Sequence, residues 1–321
     1  MANFRFSRIT AAVSALFMLT SCGKTDSIAE NSDFLFDTYS HMIICGSNSE
    51  ETMKALTQIH ADLDASFKLC YTTEAIKLPN DEAYSDCTAI TNELADKYGT
   101  GINIACGELT ELWGISTTDP TVPTERDILE TLTKIPDDNS YTETTMLDFG
   151  AVAKGYACDK AYELLTTTET DYATVSLGSS TLLYGEKPNG KFRAGVTNPD
   201  KENSYLGIIE TDAAFISTSG GYERFFEADG KRYSHILDME TGYPVETDLT
   251  SVTVIVPAET ADGGIMSDFL STLIYTQGTA QLDKWLAYEE FEVIAADENG
   301  VVYSDCSGFI LDENSGYSYG K

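Results

Sequence analysis

Hydrophobic and polar positions repeat with two different periods along this chain of 321 residues. SEETMKALTQIHADLDASF at 49–67 and a segment from about Gly264 to Tyr275 carry apolar side chains every three or four residues, which predicts helices. SVTVIVP at 251–257 predicts a strand, and FEVIAADENGVVYSD at 291–305 predicts a hairpin that turns at Glu298-Asn299-Gly300. Both periods therefore occur within one chain.

Further strands are predicted by short runs rich in β-branched and aromatic residues. These runs are FLFDTYSHMIICG at 34–46, YATVSLG at 172–178, TLLYGE at 181–186, FRAGVTN at 192–198 and GIIETDAAFIST at 207–218. Strands mixed with helices in this way favour an α+β (mixed α/β) fold in which mixed sheets pack against helices, and exclude a helical bundle. A chain of this length forms one integrated domain or two closely joined subdomains.

The N-terminal residues have the pattern of a lipoprotein signal peptide. Arg5 and Arg8 precede the apolar residues 9–19, and LTSC follows, ending in Cys22. A retained anchor is the alternative, but this apolar run is too short to span the roughly 30 Å of a hydrocarbon core. The sequence predicts a signal peptide at 1–21, a lipidated Cys22 on a polar tether at 22–32, and a domain at 33–321. The protein is thus expected to be an extracytoplasmic, membrane-anchored lipoprotein.

The acidic composition of the chain limits which ligands and macromolecules it can bind. Twenty Lys and Arg against 52 Asp and Glu give a formal net charge of −32, which repels nucleic acid and anionic lipid. A phosphate-bearing ligand would therefore need a local cation. The cysteines other than Cys22 form no CxxC pair, so buried free thiols are favoured over disulfides; they are Cys45, Cys70, Cys87, Cys106, Cys158 and Cys306.

LDFGAVAKGYACDKAYELL at 147–165 is a candidate anion site. Asp148 stands before a predicted helix, where a carboxylate can accept backbone N–H bonds, and Gly150 allows a close ligand approach. Lys154 in the first helical turn opposes the helix dipole by about 0.3–1 kcal/mol unless an anion is also present. A phosphate group would explain the lysine and the glycines. A plain capped helix fits the same pattern, and no Walker loop or GxGxxG occurs.

The segment DGGIMSDFLSTLIYTQG at 262–278 contains a possible pair of metal ligands. Asp268 and Thr272 lie four residues apart on a predicted helix, so their oxygens project from one face. Mg²⁺ prefers such hard oxygens and completes its shell with water and substrate phosphates. A side-chain hydrogen bond on a half-buried helix is the simpler alternative.

The segment ISTSGGYERFFEADGKRYSHILDMETGYP at 216–244 contains His235 after a loop rich in hydrogen-bond donors. Only His41 and His60 accompany it in the chain. His235 fits a structural strand residue or a general base that takes a proton from an acceptor hydroxyl.

The three segments together resemble the ApbE family, the FAD:protein FMN transferases. The matching motifs are LDFGAVAKGYACD at 147–159, STSGGYERFFEADGKRYSHILDMETGYP at 217–244 and SDFLSTLIYTQG at 267–278, and the likeness extends upstream through FDTYS and GELTELWG. The resemblance implies a T-fold-like catalytic domain. It also implies transfer of the FMN half of FAD to a Thr or Ser hydroxyl of an exported flavoprotein, with release of AMP.

The resemblance also implies roles for individual residues. Asp268, Thr272 and the carbonyl of Ala151 would bind Mg²⁺, and His235 would act as the general base. The residues implied to contact FAD are Phe36, Gly101, Ile102, Asn103, Asp148, Lys154, His235 and Ile236. The chain departs from the family pattern at Gly221 and Asn103, which stand where acids are common, and an aromatic that packs on the flavin or adenine would fall on Cys70 or Tyr71.

A divalent cation changes the electrostatics of such a site. An acid about 4 Å from a phosphate costs roughly 4 kcal/mol at an effective dielectric of 20, and Asp148 and Asp268 would both approach a diphosphate. With Mg²⁺ between carboxylate and phosphate oxygens, the same acids hold the ligand. Two alternatives remain open, an FAD pyrophosphatase that gives FMN and AMP, and a lipoprotein that binds FAD without turnover.

Overall fold

The computed structural model of the protein describes residues 27–68, 81–117, 119–136, 141–142, 145–188 and 190–320. The predicted signal peptide, Cys22, Cys70 and Tyr71 lie outside these ranges. The α-helices of the described ranges are α1 (Ser49–Lys68), α2 (Asp81–Tyr98), α3 (Gly107–Trp113), α4 (Glu125–Leu132), α5 (Ala153–Thr166), α6 (Gly263–Gln277) and α7 (Leu282–Trp285). Short 3-10 helices in the same ranges occupy Ile104–Cys106 and Thr279–Gln281.

The strands are short and mostly joined by hairpins. They are β1 (Ser27–Leu35), β2 (Thr38–Gly46), β3 (Thr170–Leu177), β4 (Ser180–Gly185), β5 (Phe192–Thr197), β6 (Tyr205–Thr211), β7 (Ala214–Ser219), β8 (Phe225–Ala228), β9 (Lys231–Ser234), β10 (Leu249–Pro257), β11 (Glu292–Asp297), β12 (Val301–Ser304), β13 (Phe309–Leu311) and β14 (Ser318–Tyr319).

One large sheet organises the fold. Nine strands follow the order β1-β2-β3-β4-β7-β10-β11-β12-β14, and the β12–β14 pair is parallel whereas the other pairs are antiparallel. A three-stranded sheet, β13-β6-β5, and the β8–β9 hairpin complete the strands. The predicted α+β class, with mixed sheets packed against helices, is confirmed.

Two apolar layers hold the large sheet in place. The main core joins the sheet to α1, α2, α5 and α6, and it includes Met42, Leu56, Val254 and Phe269. A second core, which includes Leu183, lies between the large and the three-stranded sheets. Helix α6 is buried around almost its whole circumference, which explains why its sequence is apolar on all sides. Any group on α6 is consequently held by packing on several sides.

The folded part begins earlier than the sequence predicted. Residues 27–32 belong to β1 and pair with β2, so they are no part of a free tether, and the domain begins before residue 33. The side chains of residues 27–32 are mostly polar, so the hydrophobic pattern did not predict a strand there. Backbone hydrogen bonds to β2 hold the strand in place, and the Ser27 hydroxyl donates to the Gly46 carbonyl at 3.1 Å. Within the described ranges, no helix combines the length and the apolar character needed to cross a bilayer.

Two predicted single strands are each divided into two. FLFDTYSHMIICG breaks at Phe36 and Asp37, where φ values of 52° and 55° turn the chain from β1 into β2. GIIETDAAFIST breaks near Asp212, and its halves join different sheets as β6 and β7. The predicted hairpin over 291–305 is confirmed as β11 and β12.

Helices α5 and α6 cross at two glycines. A Cβ on Gly155 would lie 2.3 Å from the Gly264 carbonyl oxygen, and a Cβ on Gly264 would lie 2.3 Å from the Gly155 carbonyl oxygen. No side chain fits in either position, so the two backbones approach closely. Asp159 of α5 accepts the N–H groups of Gly264 at 2.7 Å and Ile265 at 2.8 Å. It thereby caps the first turn of α6 from a neighbouring helix.

Replacing Asp159 with alanine is expected to lower the free energy of unfolding by about 2 kcal/mol, because two buried N–H groups lose their acceptor. Burial raises the pKa of Asp159 from 3.8 to about 7. The folded state thus holds the proton more tightly than the unfolded chain, and the stability that Asp159 contributes falls as pH rises from about 4 to about 7. The cost of Asp159→Ala should accordingly be larger near pH 5 than near pH 8 in urea denaturation followed by circular dichroism.

Asp262→Asn is the matched control for this experiment. Asp262 is the N-cap residue of α6, but it is exposed and its side chain makes no capping bond. Asparagine tolerates its φ of 55°. Equal losses of stability in Asp159→Ala and Asp262→Asn would contradict the capping role of Asp159.

Candidate functional site

An ion pair between α5 and α6 forms the centre of the candidate site. The Lys154 Nζ lies 3.4 Å from both carboxylate oxygens of Asp268, whose side chain is 2% exposed. Asp268 also accepts the N–H of Gly155 at 2.9 Å and the hydroxyl of Ser180 at 3.2 Å. The glycine contact between the helices allows this geometry, since a Cβ on Gly155 would lie 2.7 Å from the Asp268 Cβ. In the protein alone, the Asp268 carboxylate supplies the negative charge that offsets Lys154 in the first turn of α5.

Gly150 connects Asp148 to this ion pair by hydrogen bonds to both. Its Oδ1 accepts the Gly150 N–H at 2.7 Å, and its Oδ2 accepts the Thr110 hydroxyl at 2.6 Å. The Gly150 carbonyl in turn lies 3.4 Å from the Lys154 Nζ. Asp148 therefore accepts a backbone N–H as the sequence predicted, and the structure brings it together with Lys154 and Asp268.

The oxygens of Ala151, Asp268 and Thr272 suit a hard cation. Because the Gly155 N–H is donated to Asp268, it is not available to the Ala151 carbonyl, and no donor to that carbonyl is found among the described residues. The Thr272 hydroxyl lies 2.9 Å from the Ser219 hydroxyl and 3.3 Å from the Asp268 carbonyl oxygen. One carboxylate, one unused carbonyl and one hydroxyl are ligands that Mg²⁺ accepts.

This ligand set contains a single acidic side chain. Across the described ranges, no group of three or more His, Cys, Asp or Glu is placed to hold a metal ion. A cation at Asp268 would thus depend on water and on a phosphate-bearing ligand for the rest of its shell. Metal and anionic ligand would be expected to bind together.

His235 is held in one tautomer by Arg224. Its Nδ1 lies 3.1 Å from the Arg224 carbonyl oxygen, which can only accept, so Nδ1 carries the proton and Nε2 bears the lone pair. Burial and the nearby cations Arg224 and Lys154 lower the pKa of His235 to about 3. The imidazole is therefore neutral near pH 7 with Nε2 unprotonated, and the low pKa makes it a weak base in the protein alone.

Arg224 also fixes the β1–β2 turn that carries Phe36. Its guanidinium donates to the Asp37 carbonyl at 3.0 Å and to the Phe36 carbonyl at 3.4 Å. The Phe36 N–H bonds Asp64 at 2.7 Å, which holds an aromatic residue at positive φ. Such a conformation costs about 1–3 kcal/mol and persists where the surroundings enforce it. Arg224 therefore links the Phe36 turn to His235, because its guanidinium holds the turn and its backbone carbonyl holds the imidazole.

The predicted loop 101–103 adjoins Asp148. The Asp148 N–H bonds the carbonyl of Ile104 at 2.8 Å, directly after this loop. Asn103 accepts the Ala105 N–H at 2.9 Å and donates to the Pro136 carbonyl, and Gly101 packs on α6, where an added Cβ would lie 2.6 Å from Leu273. Ile102 is buried in the main core, which also includes the predicted contact residue Ile236.

Sequence reasoning missed four residues of this region. Thr110 and Ser180 bond Asp148 and Asp268, Arg224 positions His235, and Glu223 carries a half-buried carboxylate near Lys154. The motif around 217–244 contains Glu223 and Arg224, so their position was a signal. Thr110 and Ser180 offered none, because their contacts depend on the tertiary fold.

A cleft of about 230 Å³ borders the site without containing it. It is lined by Gly221, Tyr233, Ser234, Tyr243 and Tyr275, among others, and none of the predicted site residues lines the part that the structure describes. Ser234 ends β9 and His235 follows it directly, so the cleft and the site are adjacent along the chain.

Fold and site together describe an α+β protein in which a carboxylate, a carbonyl and a hydroxyl of the kind that divalent cations accept lie near a lysine and a neutral histidine. A family model described as the ApbE family matches residues 34–295, and the chain belongs to this family. The family resemblance predicted from the three motifs is thereby confirmed.

Curated relatives share about a third of their residues with this chain. An FAD:protein FMN transferase of Klebsiella pneumoniae (strain 342) is 34% identical over 195 residues, which cover 57% of this chain and 60% of that protein. One of Treponema pallidum (strain Nichols) is 32% identical over 210 residues, covering 57% of each chain. The chain thus spans about 60% of the length of these relatives.

Solved structures show the same fold. An ApbE protein of Thermotoga maritima has a TM-score of 0.72 at 24% identity, covering 87% of this chain and 97% of its own. The flavinyl transferase ApbE of Pseudomonas stutzeri, in its apo form, has a TM-score of 0.70 at 21% identity, covering 91% of this chain and 96% of its own. The architecture extends over nearly the whole of both structures.

Proposed function

We propose that this protein is an FAD:protein FMN transferase that uses Mg²⁺. It moves the FMN half of FAD onto a Thr or Ser hydroxyl of an exported flavoprotein and releases AMP. The observation that carries the proposal is the cluster of Lys154, Asp148 and Asp268, beside an unused carbonyl at Ala151. Family membership and the names of the curated relatives support the same reaction.

Charge explains why this cluster suits a diphosphate in a strongly acidic protein. Lys154 is already paired with Asp268, and Asp148 and Asp268 alone would repel phosphate by roughly 4 kcal/mol each at about 4 Å. Ala151, Asp268 and Thr272 would hold Mg²⁺, which supplies positive charge that attracts the diphosphate and stabilises the charge on the leaving phosphate. Lys154 would then be free to bind a phosphate oxygen.

The proposed transfer consists of one set of bond changes. The acceptor hydroxyl oxygen forms a bond to the phosphorus of the FMN half, and the bond from that phosphorus to the bridging oxygen breaks. AMP leaves with the bridging oxygen. His235 takes the hydroxyl proton at Nε2, the nitrogen that Arg224 leaves unprotonated. The low pKa of His235 arises partly from Arg224 and Lys154, and a bound diphosphate would offset both cations.

The location of the protein follows from the sequence pattern. We propose that residues 1–21 are removed, that Cys22 carries lipid, and that the enzyme works on the outer side of a membrane on an exported flavoprotein. The net charge of −32 fits a partner other than nucleic acid.

Mass spectrometry of an exported acceptor protein tests the proposed reaction. The acceptor is incubated with FAD, Mg²⁺ and this protein, and AMP is measured by chromatography in the same sample. We expect the acceptor to gain the mass of one FMN on a Thr or Ser residue, with one AMP released per transfer. Release of AMP and free FMN without labelled acceptor would identify a pyrophosphatase, and bound FAD without AMP would identify a carrier.

A further inference from the structure

Glu223 lies in the loop between β7 and β8, and that loop is held firmly. The Glu223 N–H bonds the Gly220 carbonyl at 3.3 Å, and the Gly221 N–H donates to the Tyr275 hydroxyl at 3.0 Å. Gly220 packs so closely on Tyr222 that an added Cβ would lie 2.4 Å from the tyrosine ring. The position of the Glu223 side chain is thus fixed by the backbone on which it stands.

One carboxylate oxygen of Glu223 has no hydrogen-bond partner. Its Oε1 is shielded from solvent, and no donor reaches it among the described residues. Ser179 lowers the pKa of the carboxyl group, but no hydrogen bond reaches Oε1. A buried acceptor without a donor costs about 1–3 kcal/mol, so native proteins seldom retain one without a function.

The charges around Glu223 place it at the proposed reaction site. Burial raises the pKa of Glu223 to about 7, whereas Lys154 and Arg224 favour its ionised form and Asp268 opposes it. Lys154 and Asp268 form the ion pair at the centre of the site, and Arg224 orients His235. When Glu223 is ionised, Oε1 repels a phosphate oxygen and can only accept a hydrogen bond. Hydroxyl groups are donors that both the sugar chains of FAD and a Thr or Ser acceptor would bring next to the diphosphate.

We propose that Oε1 of Glu223 accepts a hydrogen bond from a substrate hydroxyl next to the diphosphate. This inference rests on the proposed function. The hydroxyl belongs either to the sugar chains of FAD or to the Thr or Ser of the acceptor protein. Both sources offer the same chemistry, and they differ in which substrate loses affinity when Glu223 is changed.

The Glu223→Gln variant separates the two sources by binding and kinetics. FAD binding is measured by calorimetry in Mg²⁺, and transfer is measured at saturating FAD over a range of acceptor concentrations. If FAD supplies the hydroxyl, its Kd should rise about tenfold while kcat at saturating FAD stays unchanged. If the acceptor supplies it, the Kd for FAD should stay unchanged and kcat/KM for the acceptor should fall about tenfold.

Glu227→Gln is the matched control, because Glu227 is exposed on β8 and pairs with Arg232 at 3.7 Å. Wild-type values for both FAD binding and transfer in Glu223→Gln would overturn the inference. If Glu223→Gln melts below the wild type, Glu223→Asp, which keeps the charge but withdraws the oxygen by one methylene, should show the same selective loss. A wild-type protein that binds no FAD would refute the proposed function, and this inference with it.

Discussion

Replacing Asp268 with asparagine is expected to weaken FAD binding in Mg²⁺ by about 1000-fold and to reduce FMN transfer at least as much. The substitution removes the single acidic ligand of the proposed cation, and about 4 kcal/mol of attraction is lost with it. Asparagine keeps the size of the side chain, so the close contact of α5 with α6 at Gly155 and Gly264 is retained. Calorimetry of FAD binding in Mg²⁺ and in chelator measures the effect.

Asp283→Asn controls for the loss of one negative charge, since Asp283 is exposed on α7. It should bind FAD as the wild type does. Thermal melting distinguishes a local loss from unfolding, because Asp268 also accepts bonds from Gly155 and Ser180. If a folded Asp268→Asn variant keeps Mg²⁺-dependent FAD affinity, the proposed cation site is wrong.

The second large effect is expected at His235. His235→Gln should lower the rate of FMN transfer by about 100- to 10,000-fold, the usual contribution of a general base. FAD affinity should fall much less than the rate, since the proposed role of the imidazole is to take a proton from the acceptor hydroxyl. Single-turnover transfer at saturating FAD, together with calorimetry of FAD binding, separates the two quantities.

His41→Gln is the corresponding control. His41 lies on β2 and pairs with Glu30 at 2.9 Å on the surface. The control should transfer FMN at the wild-type rate. Transfer by His235→Gln within about threefold of the wild type would exclude His235 as the base.

The sequence predicted well those elements whose period is set by burial. Helices α1 and α6, strand β10 and the β11–β12 hairpin lie where their apolar patterns place them, because each buries one or more faces in the core. Most of strand β1 was not predicted, because its polar side chains carry no such pattern. The turn at Phe36 and Asp37 was not predicted, because an aromatic residue such as Phe36 is not expected at positive φ in a hairpin turn.

The sequence motifs named the residues of the candidate site but did not indicate how those residues are arranged. The motifs named Asp148, Lys154 and Asp268, yet no spacing indicates that residues 154 and 268 form an ion pair at 3.4 Å. That pair depends on two glycines meeting where α5 crosses α6. Contacts between residues more than a hundred positions apart are set by the tertiary fold.

Arg224 and Glu223 illustrate a second limit of sequence reasoning. Both lie inside a recognised motif, but their adjacent side chains serve different purposes, one holding the Phe36 turn and the other leaving a shielded oxygen unpaired. Only the surroundings of each side chain distinguish these roles.

Isothermal titration of FAD into the wild-type protein, in Mg²⁺ and in excess chelator, measures whether a divalent cation allows this acidic protein to hold FAD. We expect binding at least about 100-fold tighter in Mg²⁺, equivalent to about 2.7 kcal/mol. Equal affinity in chelator would show that no cation is needed and that the proposed site is wrong.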